Sequence, residues 1–149
     1  MITGLAVPYG VPARLTDLST GRSCEHFTEF APGSLYQATR LPERCGLWIN
    51  HCRPGSHARP IHCGPIRFSE DSSGLRFAVA IDREPWASQI FDWHRQGLLT
   101  SVSIGPVCER AYWRGNVKVF EWGHLRELSL LVGKLPAFSA ATASAFRLA

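Results

Sequence analysis

The stretch PIRFSEDSSGLRFAVAID, residues 65–82, constrains this chain most. Ile66 and Phe68 alternate with polar residues, a Ser/Asp/Gly cluster follows, and Leu75, Phe77, Val79 and Ile81 then alternate again. Successive strand side chains point to opposite faces, so this pattern is a β-hairpin with one apolar face. An isolated hairpin is marginal in water, so that face must be covered by a second layer. The rest of the chain must supply it.

Further elements read in the same way. Residues 2–8 predict a first strand, HFTEFA (26–31) a short one, and GLWIN (46–50) a buried one ending at His51. PGSLYQATR (32–40) predicts a helical turn, with Ser34 and Gln37 at capping-box spacing. EPWASQIFDWHRQG (84–97) is the best helix: Pro85 suits its first turn, Gly97 its stop, and Trp86, Ile90 and Trp93 form a stripe. A strand through LLTSVSIGPV (98–107), a second hairpin around Gly115 and Asn116, and a last strand at 124–132 follow. Residues 52–64 read as an exposed loop, and the small-residue stretch 139–149 as a loose tail after a domain spanning 1–138. The expected class is mainly β with flanking helices, α+β.

Composition narrows the function. A chain of 149 residues suits one domain with a real core, and 45% hydrophobic against 19% charged residues excludes a disordered chain. No apolar run reaches the roughly 18–20 residues that span a bilayer, and the first residues lack the basic start of a signal peptide. A cytosolic protein with no membrane partner is therefore expected. The net charge of +4 comes from basic residues scattered singly, a pattern that argues against specific nucleic-acid recognition. Five cysteines without a CxxC pair read as reduced thiols.

Three constellations could carry chemistry. Ser101 and Ser103 share a face of an apolar strand that continues into Gly105, and glycine in a strand often marks a close approach. Serine needs a base to take its proton, and the base needs a partner to fix its tautomer. His51 at a strand end and Glu127 within RELSLL, on the same face as Ser129, supply those residue types. Ordinary strand hydroxyls, a loop histidine and a salt-bridged glutamate are the plain alternative. Cys45, His51, Cys52, His57, His62 and Cys63 could instead ligate zinc, but their spacing fits no zinc-finger or ribbon pattern, so no metal or other cofactor is expected. Trp48, Trp86, Trp93, Trp113 and Trp122 could line a recognition surface, although core packing explains the helical pair.

In order along the chain, the motifs GLAVPYG, FTEFAPGSL, WINH, SSGLRFAVAID, RQGLLTSVSIG and LRELSLLV followed by PA resemble the caudovirus prohead maturation proteases of the HK97 type, relatives of herpesvirus assemblin. The resemblance runs over roughly residues 4–138. It implies an assemblin-like small β-barrel flanked by helices. It implies a serine endopeptidase with Ser103 as nucleophile, His51 as general base and Glu127 as the third member, with Glu29 a lesser alternative for that place. The implied substrate is the scaffold segment of the major capsid protein, or a separate scaffold protein, inside the assembling prohead in the host bacterial cytoplasm. Self-association is compatible with the family, since assemblins are activated by dimerisation. This sequence departs from the pattern in having Cys52 after His51, Pro106 after Gly105, and two extra residues between Ser129 and Pro136. A catalytically inactive, scaffold-binding relative of the same fold is the rival reading.

Overall fold

The computed structural model describes residues 1–15, 22, 24–51, 61, 65–147. The expected hairpin forms from β4 (Arg67–Asp71) and β5 (Gly74–Val79), antiparallel from Arg67 opposite Ala78 to Asp71 opposite Gly74. Its turn is held by Asp71, whose Oδ1 accepts the Ser73 N–H (2.7 Å). β1 (Ile2–Pro8) lies antiparallel along the other edge of β5, and β8 (Ser144–Ala145) pairs with β1 in turn, giving the order β4-β5-β1-β8. Leu75, Phe77, Val79 and Ile81 are all buried, as the alternation requires.

The second sheet is built on one hairpin longer than any the sequence suggests. β6 (Leu99–Arg114) and β7 (Val117–Val132) each run 16 residues and turn at Gly115, whose φ of 63° suits glycine. The serine strand, the second hairpin and the last strand are thus one continuous antiparallel pair. Register shifts keep it continuous, including one between Gly105 and Pro106, where a bulge accommodates a residue with no N–H to donate. On its other edge β7 carries two short parallel strands, β2 (Phe27–Phe30) beside Val117–Phe120 and β3 (Gly46–Ile49) beside residues 127–130.

The helices are α1 (Tyr36–Arg40) and α2 (Ala87–Arg95). Neither has a side-chain N-cap, so the capping box expected from Ser34 and Gln37 does not form, and the buried Ser34 hydroxyl has no partner among the described residues. α2 packs Ile90 inward with Trp86 and Trp93 half-buried against the core, and stops at Gly97 (φ 70°). Trp113 is exposed and meets the His26 ring edge-on.

Two expectations are corrected. The strand ladders among the described residues leave two open sheets, so the small closed barrel does not appear and the fold is open-sheet α+β. Residues 139–147 are not a loose tail: Ala141 and Ala143 are buried, the Thr142 N–H donates to the Leu5 carbonyl (3.0 Å), and the Ala143 N–H donates to Thr100 (2.9 Å). A Cβ on Gly4 would lie 1.9 Å from the Thr142 carbonyl oxygen, so only glycine permits this approach. No helix among the described residues is long and apolar enough to cross a membrane.

Candidate active site

The centre of the second sheet gathers the predicted residues on one face. Across β3, β7 and β6 one row reads Gly46, Glu127, Gly105 and the next Trp48, Ser129, Ser103. Residues directly opposite in neighbouring strands project to the same side, with Cβ atoms about 4.5–5.5 Å apart. Ser103, Glu127 and Ser129 therefore share a face, while Val102, Ile104, Leu128 and Leu130 fill the core on the other.

Glu127 is 8% exposed and has a glycine opposite it on both sides. Gly105 is the close approach that its place in a strand suggests. A Cβ there would lie 2.9 Å from the Glu127 Cβ and 3.3 Å from its Oε2. The glutamate thus lies over the glycine two residues after Ser103.

His51 reaches this carboxylate from the end of β3. Its Nδ1–H donates to Glu127 Oε1, leaving Nε2 as the acceptor. Ser129 joins the pair: its hydroxyl donates to Glu127 Oε1 (2.5 Å) and accepts the His51 backbone N–H (3.1 Å). Sequence reasoning placed Ser129 beside Glu127 but gave it no role. The signal was present, because a serine two residues from a buried glutamate on one face can satisfy one of its oxygens.

Ser103 is half-buried, directly opposite Ser129, and its hydroxyl makes no hydrogen bond among the described residues. His51 and Ser103 thus both adjoin Ser129, the first through its backbone N–H from the end of β3 and the second from β6. Ser101 is buried, with a hydroxyl that finds no partner among the described residues. The two serines of the strand therefore differ in access.

No protein-family model matches the chain, and neither the curated proteins nor the solved structures contain a match.

Glu29 is not brought to the site. It lies opposite Val119 at the far end of β7, where Arg114 binds it. Of the potential zinc ligands, Cys52, His57, His62 and Cys63 lie outside the described residues, as does the loop 52–64 apart from Ile61. Among the described residues no three such groups cluster, and His51 is engaged with Glu127.

Burial by itself pushes the Glu127 carboxyl up, but the hydrogen bonds from His51 and Ser129 outweigh it and hold the group below the usual glutamate range. A carboxyl lowered in the folded state stabilises the fold above its ordinary value, and that contribution is lost as pH falls through the lower folded value. Acid should therefore narrow the stability gap between wild type and Glu127→Gln. Urea denaturation of both from about pH 7 down to about pH 3 checks this, and a constant gap would contradict it.

Gly105→Ala should displace Glu127, because the new methyl group meets the glutamate's Cβ rather than a flexible tip. The expected cost is about 1–3 kcal/mol of overpacking. If Ser103 is a nucleophile activated by His51, its reactivity should fall about 10- to 100-fold as the imidazole loses its support. Urea melts and the rate of phosphonate labelling read the two effects separately.

Proposed function

We propose that this chain is a serine endopeptidase of the prohead-protease type. It would cleave the scaffold segment of a major capsid protein, or a separate scaffold protein, within the assembling prohead in the host bacterial cytoplasm. One observation carries the catalytic part of the reading. His51 is bound through Nδ1 to a buried carboxylate, on the face where the neighbouring strand presents a half-buried serine whose hydroxyl has no partner among the described residues. The substrate class rests on the ordered motifs, from WINH through SVSIG to LRELS.

In this mechanism Ser103 Oγ attacks the peptide carbonyl carbon while His51 Nε2 takes its proton. The protonated imidazole, steadied by Glu127, returns that proton to the leaving amine as the C–N bond breaks. Water, deprotonated by the same nitrogen, then hydrolyses the acyl-enzyme and releases Ser103. Glu127 holds the tautomer and orientation throughout, and Ser129 holds Glu127.

The test has two arms. An alkyl fluorophosphonate, which captures activated serines, should add once to the purified chain, and peptide mapping should locate the adduct at Ser103. Co-expression with the capsid and scaffold proteins of the same virus should yield truncated products by intact mass. An adduct on another residue, or none, would overturn the catalytic assignment. Uncut capsid protein that co-purifies with the chain would favour the non-catalytic, scaffold-binding relative.

A further inference from the structure

β3 ends at Ile49, but its hydrogen bonding to β7 goes one step further without another strand residue. The Asn50 N–H donates to the Leu130 carbonyl (2.9 Å) in the ordinary way. The side chain then takes over. Asn50 Oδ1 accepts the Val132 N–H (2.9 Å), and Nδ2 donates to the Val132 carbonyl (3.2 Å). A carboxamide offers the same donor and acceptor pair as a peptide group. The Asn50 side chain therefore stands where the next residue of β3 would pair.

This substitution frees the main chain to leave the sheet. Asn50 has φ 55° and His51 φ 62°, two successive residues in the left-handed region where side chains other than glycine are uncommon. Had β3 continued in register, residue 51 would lie alongside Val132. Instead the turn brings the chain back over β7, so that the His51 N–H meets the Ser129 hydroxyl and the ring meets Glu127. Nothing in the ring's own contacts demands an asparagine before it; the two bonds to Val132 do.

We infer that Asn50 is a positioning residue for His51: its carboxamide replaces a strand residue on Val132 and so holds the left-handed turn that lays the imidazole on Glu127. The inference goes beyond the proposed activity and, for its effect on reactivity, rests on His51 being the general base.

The test compares the full-length wild type with Asn50→Gly and Asn50→Asp. Glycine accepts the left-handed turn without strain but lacks the carboxamide. Aspartate keeps an acceptor for the Val132 N–H but sets a second oxygen against the Val132 carbonyl. The first readout is the far-downfield imidazole proton of the His51–Glu127 bond in ¹H NMR, assigned by its absence in His51→Gln. The second is the fluorophosphonate labelling rate of Ser103. The downfield proton should be lost or broadened in both variants, while the amide resonances of β1 and β5 stay in place. The labelling rate should fall about 10- to 100-fold.

A glycine variant that keeps the downfield proton and the wild-type rate overturns the inference. So does unfolding of both variants, seen as loss of the β1 and β5 resonances, because the asparagine's role would then be to hold the fold. A wild type with the downfield proton but no labelling would sink the protease reading alone. The NMR comparison would still decide the role of Asn50.

Discussion

Ser103→Ala should reduce cleavage by at least about 10³-fold, and His51→Ala should do the same. The two losses should not add. In the proposed mechanism serine and imidazole act as a unit, so once either is gone the other has no proton to exchange and the double variant falls no further. This separates a catalytic pair from two residues that each support the fold, whose effects on stability would combine. Ser103 is half-buried, and its hydroxyl has no partner among the described residues, so its alanine variant should fold with little change in stability. His51→Ala differs, because it also takes a hydrogen bond from the buried Glu127. Its melting temperature should fall where that of Ser103→Ala does not. The measurement is the initial rate of product formation by mass for both single variants and the double variant. Residual activity multiplied down in the double variant would argue against a shared proton path.

Phe30→Ala should cost about 3–5 kcal/mol, a large share of the roughly 5–15 kcal/mol that holds a domain together. Phe30 is fully buried at the end of β2. Its ring stands 4.7 Å from that of Phe120 on β7 and 5.7 Å from that of Phe138. It thereby joins a short parallel strand, the central strand of the second sheet and the start of the C-terminal stretch. Truncation leaves a cavity that three separate segments would have to close, and aromatic pairs add about 0.5–1.5 kcal/mol beyond the area they bury. Urea denaturation should show a lower midpoint with an unchanged slope. Phe30→Leu, which refills most of the volume, should recover much of the loss. Near-wild-type stability in Phe30→Ala would mean that these rings do not form a common core.

The parts of the fold legible in the sequence are those where one physical signal acts locally. Alternation over 66–81 and the Pro85 to Gly97 frame placed a hairpin and a helix because pleat and capping act within a few residues. The pairing of β2 and β3 with β7 was not legible, since parallel neighbours leave no turn between them to read. The length of the β6–β7 hairpin was hidden too. Pro106 and the shifts around Arg110 interrupt its alternation and make one strand look like two.

The site divides along the same line. His51, Ser103 and Glu127 were picked out by residue type and motif order, and Glu127 and Ser129 by their shared face. The two-sided role of Ser129 and the bonds from Asn50 to Val132 depend on which strand lies beside which, and no spacing within one segment encodes that.

The origin of the three proposed catalytic side chains also bears on how the site comes into being. Ser103 and Glu127 lie within one hairpin, whose strands can zip from the Gly115 turn by local contacts. His51 comes from 76 residues before Glu127, on a strand whose parallel pairing pays for closing a long loop. The nucleophile and the acid would thus meet early in folding, and the base would arrive with the docking of β3. A chain opened only at β3 would keep most of its core yet have no base. Under the proposed reading, competence to cut would then be a property of the last assembled state alone.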